Sequence, residues 1–174
     1  MSATVVGEPN GWRWLYLTAV VLLLDQLTKQ AILDHLMPYE SLYVLPVLDI
    51  THVYNTGMAF SFFADAGGWQ RWAFLVLALS ISAAIGVWLR RLKARSQWML
   101  ASALALVAGG ALGNACDRLR LGHVVDFIHV HWGAASFPSF NVADSAITVG
   151  AALLLLDALL ESRRKKEAHA DPAG

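Results

Sequence analysis

Four stretches of this sequence, at about 12–33, 71–89, 97–115 and 142–160, are strongly apolar and each is close to the roughly 20 residues that cross a bilayer core as a helix. A chain carrying four such runs has few folds open to it, because unpaired backbone groups are not tolerated in lipid and helices satisfy their own. Periodicity does not separate buried from lipid-facing positions here, but the lengths favour helices over strands. Trp12, Trp14, Trp69, Trp72, Trp88 and Trp98 mark the ends of the runs, as interfacial tryptophans do. Composition agrees: 57% of the residues are hydrophobic and 15% charged, against about 25% charged in soluble domains. The sequence therefore predicts an all-α polytopic membrane protein. One domain is expected over 1–167, with a disordered tail over 168–174.

Basic residues set the expected topology. Arg90, Arg91, Lys93 and Arg95 lie between the second and third spans, and Arg163, Arg164, Lys165 and Lys166 follow the fourth. The positive-inside rule puts both groups in the cytoplasm, so both termini lie inside and the other two connections face outward. Leu15 to Leu24 has the length of a signal-peptide core, but DQLTKQ follows with no small-x-small cleavage pattern, so the segment reads as a retained anchor. Within the first outward connection, residues 42–63 are β-branched and aromatic with a turn at Asn55-Thr56-Gly57, which predicts a small sheet on the membrane surface. Residues 123–132 in the second also read as extended.

Net charge is zero, so no basic field is available for nucleic acid. Cys116 is the single cysteine, which excludes an intrachain disulfide and a thiolate metal cluster. Chemistry has to come from carboxylates, hydroxyls, histidines or lysine.

Ionisable groups at a membrane span are costly and need partners or a purpose. Asp25 and Lys29 stand four apart on the first helix and share a face, where they either pair as a snorkelling anchor or serve a site. Gly109 and Gly113, also four apart, admit a close helix neighbour. Asn114, Asp117 and Arg118 follow them, with Asp126 in the extended piece beyond. Asn114 and Arg118 face the same way if the helix persists. At the start of the fourth span, Asn141 suits an N-cap and Asp144 the first turn, so capping alone accounts for both. By the topology, however, all these groups gather at the outward helix ends. Asp117 has Arg118 beside it and Asp25 has Lys29, whereas Asp126 and Asp144 have no sequence-local cation. Two such carboxylates brought close tend to share one proton, the arrangement of an aspartic protease.

The motifs LDQLTK at Asp25, YNTGMAFSF at Asn55, GGALGNACDR at Asn114, VVDFI at Asp126 and FNVADSAI at Asp144, in that order, resemble those of the lipoprotein signal peptidases, or signal peptidase II. The resemblance covers roughly 12–160. It implies Asp126 and Asp144 as the catalytic pair, with supporting or substrate-contacting roles for Asp25, Lys29, Asn55, Gly57, Asn114, Asp117, Arg118 and Asn141. It implies a bacterial inner-membrane enzyme with four spans, an extracytoplasmic β-cradle and a short interfacial helix, its active site near the periplasmic face. The substrates implied are prolipoproteins with a lipobox signal peptide, cut just before a cysteine that carries diacylglycerol. Globomycin-type inhibitors and membrane lipids are the other expected ligands. No metal and no cofactor are expected, and the enzyme is expected as a monomer. Met58 stands where the family commonly has alanine, and Cys116 occupies a variable position.

Three other readings compete. A Ser/Lys peptidase would use Lys29 with Ser61 or Ser139, and needs a lysine able to lose its proton, which Asp25 one turn away opposes. A transporter or proton relay would need polar groups threading the bilayer, where only Asp157 lies deep toward the cytoplasmic side. A metal site would use His123, His129 and His131, on the weak signal of a His-x-His pair. The sequence does not say which aspartate is acid and which is base.

Overall fold

The computed structural model describes residues 8–56, 68–133 and 135–170. A single 3-10 turn at Gly11–Trp14 leads into α1 (Leu15–His35); β1 (Ser41–Leu45) and β2 (Leu48–Asn55) form a hairpin; α2 (Trp69–Leu89) and α3 (Trp98–Arg120) follow. Then come β3 (Val124–Trp132), the short β4 (Ala135–Ser136) and α4 (Val142–Ala170). Four helices are long and apolar enough to cross a membrane, over Gly11–His35, Trp69–Leu89, Trp98–Arg120 and Val142–Glu167.

An all-α description is too coarse. The strands pair antiparallel in the order β1-β2-β3-β4, so the extended stretch after α3 completes a sheet that the hairpin begins. The hairpin turns at Pro46-Val47, between Leu45 and its partner Leu48. Proline lacks the amide a ladder needs, which stops the strand there. β2 ends at Asn55, and Gly57 lies outside the described residues, as do Met58 and Ser61. Helix α3 runs through Asn114, Asp117 and Arg118 to Arg120, five residues past the expected end of that span. Helix α4 continues to Ala170, for no glycine or proline follows Gly150 within it and Glu161 pairs with Lys165 one turn on.

Helix α3 is the hub. It packs on α1, α2 and α4, whereas among the described residues α2 touches neither α1 nor α4. Small residues permit this. A Cβ on Gly109 would lie 2.8 Å from Val21 Cβ, one on Gly110 would collide with the carbonyl of Ala143, and one on Gly113 would lie 2.5 Å from Asp25 Oδ2. The facing stripe of α1 is Thr18, Val21, Asp25 and Lys29, spaced three to four apart and all buried. One end of this seam is conventional. There Ile85, Leu89, Leu92, Ala101, Leu104 and Ala108 form an apolar core. The segment before α1 is zipped onto it by Gly11 N–H to Leu92 O and Ala94 N–H to Pro9 O, both 2.8 Å. The indoles of Trp12 and Trp14 donate to the carbonyls of Gly86 and Ala94. The other end of the same seam is polar.

Candidate active site

At that polar end, α1 delivers Lys29 into the bundle with 2% of its surface exposed. An ammonium has three protons to donate, and all three are used: to Asp25 Oδ2 at 2.8 Å, Asp117 Oδ2 at 2.9 Å and Asn114 Oδ1 at 2.9 Å. Asp25 Oδ1 accepts the backbone N–H of Ala143 at 2.9 Å, which ties the start of α4 to α1. Asp117 Oδ2 also accepts the N–H of Val125 at 3.1 Å, which sets the first residues of β3. Gln26, not singled out from the sequence, donates to Asp117 Oδ1 at 2.9 Å, to Gly113 O at 3.2 Å and to Asp25 Oδ2 at 3.3 Å. Its only sequence signal is being a polar residue beside Asp25 inside a span.

The expectation that Asp117 pairs with Arg118 is therefore corrected. Consecutive helical residues point about 100° apart, so Asp117 faces α1 while Arg118 faces α2. The Arg118 guanidinium donates to the Asn114 carbonyl one turn back at 3.2 Å and lies 5.0 Å above the Phe74 ring. Lys29 spends its three donors on Asp25, Asp117 and Asn114 and none on Ser139, so among the described residues no Ser/Lys pair forms; Ser61 lies outside them.

Strand β3 carries Asp126 in under the sheet, 2% exposed. Its Oδ2 accepts from Asn55 Nδ2 at 2.9 Å and its Oδ1 from Asn141 Nδ2 at 2.7 Å. Asn55 pairs with Val124 in the register and so lies diagonal to Asp126 on the same face of the sheet. Asn141 caps α4: its Oδ1 accepts the N–H of Asp144 at 2.9 Å, and its own N–H donates to Asp144 Oδ2 at 3.2 Å. That reciprocal pair is a capping box. The capping and site explanations of Asn141 thus both hold, because one amide caps with its oxygen and serves Asp126 with its nitrogen. Asp144 is half-buried, and its Oδ1 accepts from Asn114 Nδ2 at 2.7 Å. Asp126 and Asp144 are joined through Asn141, and each carboxylate has both oxygens hydrogen-bonded. Burial, aided by the negative charge of Asp144, pushes the Asp126 carboxyl up to about 6, against the opposing hydrogen bonds from Asn55 and Asn141.

The histidines separate. His123 packs on Tyr54 with ring centres 4.1 Å apart, and burial pulls its pKa down. His129 and His131 instead flank Asp49 Oδ2 at 3.8 and 3.3 Å, far along β3 from Asp126's end. Among the described residues no three His, Cys, Asp or Glu side chains converge as a metal ion requires.

The family profile described as Signal peptidase (SPase) II matches residues 17–160. A lipoprotein signal peptidase of Pseudomonas aeruginosa (strain UCBPP-PA14) is 54% identical over 158 residues, covering 90% of this chain and 93% of that protein. The lipoprotein signal peptidase of Pseudomonas putida (strain KT2440) is 52% identical over 171 residues, covering 97% and 99%. One from Shewanella pealeana is 48% identical over 160 residues, covering 92% and 94%. In three dimensions the chain is similar to a bacterial membrane enzyme solved in meso at 2.3 Å, with a TM-score of 0.77, 31% identity and coverage of 89% and 92%. A second such structure, at 1.9 Å, gives a TM-score of 0.74 at 30% identity, covering 84% of this chain and 92% of that one. With its apolar spans, the polar end of its helix seam and these relatives over nearly its whole length, the chain belongs to the signal peptidase II family.

Proposed function

We infer that this chain removes the signal peptide from diacylglyceryl-modified prolipoproteins, hydrolysing the bond just before the lipid-bearing cysteine, with Asp126 and Asp144 as its catalytic residues. The observation that carries the assignment is the shared partner. One side chain, Asn141, holds Asp126 through its nitrogen and caps the Asp144 turn through its oxygen. The carboxylates are thereby held as a pair, and neither has a hydrogen-bonded cation among the described contacts.

The two environments divide the roles. Asp126 is buried among neutral amides and is pushed up to about 6, so it is the partner that keeps the shared proton and polarises the scissile carbonyl. Asp144 sits in the first turn of α4, where its carboxylate accepts from the Asn114 amide and the Asn141 backbone N–H. It takes a proton from the attacking water, whose oxygen then bonds to the carbonyl carbon. The tetrahedral species collapses as the C–N bond breaks and the cysteine amine takes up a proton. Asn55, Asn114 and Asn141 orient the carboxylates; Asp25, Lys29 and Asp117 hold the helices that carry them; Arg118 and Gly57 are assigned to contact with the substrate.

Basic residues in the α2–α3 connection and after α4 support cytoplasmic termini, and hence a site near the periplasmic face of the bacterial inner membrane. With α2 and α4 out of contact, a signal helix has a path along α3 between them, its acyl chains remaining in lipid. One domain over 1–167, a monomer, a short interfacial helix by the cradle and inhibition by globomycin-type peptides belong to the same reading. Replacing Asp126 or Asp144 with asparagine and assaying cleavage of a lipidated precursor tests it: both variants should lose turnover while staying folded. Near-normal cleavage by either would sink the pair.

A further inference from the structure

We propose that Lys29, which touches neither proposed catalytic aspartate, is a positioning residue whose ammonium dictates the direction in which the Asn114 side chain donates, so that its amide N–H faces Asp144. The proposal rests on the reading of Asp126 and Asp144 as the catalytic pair and adds what keeps their hydrogen bonds pointing one way.

A side-chain amide in a buried network can be turned over, exchanging a carbonyl acceptor for an NH2 donor at almost no change of shape. Something has to choose. Lys29 can only donate, so the Asn114 atom 2.9 Å from it has to be the carbonyl oxygen. The NH2 group is then forced to the other side, where it meets Asp144 Oδ1 at 2.7 Å. The same carbonyl accepts from Asn141 Nδ2 at 3.2 Å. Asn141 is chosen independently from its far end, since the backbone N–H of Asp144 is also a donor only and requires an oxygen 2.9 Å away. Its NH2 therefore turns to Asp126 Oδ1 at 2.7 Å. Turned over, Asn114 would set its NH2 against the ammonium and the Asn141 amide, and its oxygen against the Asp144 carboxylate. All three contacts would become repulsive.

The surroundings keep the ammonium in place. Asp25 and Asp117 hold it at 2.8 and 2.9 Å, all three residues are at most 2% exposed, and Asp25 is fastened to the α4 backbone. Among the described residues, the other charged groups near the pair are Arg118 on α3 and the aspartates themselves. Arg118 reaches Asn114 only through its backbone carbonyl and so has no say in the direction of its side-chain amide.

A double-mutant cycle on the purified enzyme in detergent, with a lipidated precursor as substrate, decides the matter. Lys29→Met and Asn114→Ala should each lower kcat by about tenfold or more while KM stays within about threefold, per mole of folded enzyme. The double variant should fall no more than about twofold below Asn114→Ala, because residues acting through one another are not additive. Multiplicative losses would mean that Lys29 acts through space or through the fold, and would overturn the proposal. Should Lys29→Met not fold, Asn114→Asp decides alone: it keeps the size and the ammonium's acceptor but presents oxygen to Asp144. It should cost about a hundredfold in kcat, and near-normal kcat would overturn the relay. Asp144→Asn run in parallel separates the two readings. If it is active the catalytic pair is wrong, whereas if it is inactive while Asn114→Asp is active, only the relay is wrong.

Discussion

Two pairs of aspartates lie within one polar seam and are treated in opposite ways. Asp25 on α1 and Asp117 on the facing side of α3 share the Lys29 ammonium and are filled out by Gln26 and by backbone N–H groups of α4 and β3. Asp126 and Asp144 receive N–H groups from asparagines and from backbone, with no hydrogen-bonded cation among the described residues. A carboxylate locked to a buried cation is committed to the fold. A carboxylate held only by neutral donors keeps its geometry and leaves its proton free to move. Position alone does not make the difference, since both pairs lie at the same end of the bundle.

The largest effect expected from breaking this contrast is at the second pair. Asp126→Asn or Asp144→Asn should reduce turnover of a lipidated precursor by about 10³-fold or more, with thermal unfolding in detergent little changed because asparagine keeps the shape and no ion pair is broken. At the first pair the balance inverts. Lys29→Met leaves two buried carboxylates without their cation, and breaking such a pair costs about 3–5 kcal/mol, so the unfolding temperature should drop well beyond the drop caused by either change at the second pair. Gly113→Ala probes the same triad sterically. Its Cβ would lie 2.5 Å from Asp25 Oδ2, and overpacking of this kind costs about 1–3 kcal/mol, read again as a fall in unfolding temperature.

The pH dependence sharpens the comparison from another side. In the proposed mechanism Asp126 acts in its protonated form, and with its carboxyl pushed up to about 6 its contribution is present below that pH and is lost as pH rises through it. The kcat/KM profile should bend down on its alkaline side from about pH 6, approaching tenfold per unit. A limb that is absent, or that survives in Asp126→Asn, would assign the proton elsewhere. Asp49→Asn should do least. Asp49 lies between His129 and His131 on a partly exposed part of the sheet, where such pairs contribute about 0–1 kcal/mol. Cleavage should stay within about twofold of the parent enzyme, and a large loss would show that the far end of the sheet takes part in catalysis.

The spans were readable because hydropathy and length act locally: about 20 apolar residues form a crossing helix whatever surrounds them. The motifs around Asp25, Asn55, Asn114, Asp126 and Asp144 were readable as an ordered set of polar residues where polarity is costly. The pairing of Asp117 was misread, since adjacency in sequence suggested Arg118 while the helical twist turned it to Lys29. Gln26 was passed over because one more amide in a polar motif has no signature until its three acceptors surround it. Pairing of β3 with β2 depends on two segments some seventy residues apart, and no local pattern announces it.

By itself, the sequence determined a four-span membrane protein, the side that carries its basic residues and the carboxylates available for chemistry, all consequences of how single residues partition between water and lipid. Only the tertiary structure decided which carboxylate meets which donor. That choice is made by the close approach that glycines on α3 allow, by strand register and by the three protons of one buried ammonium.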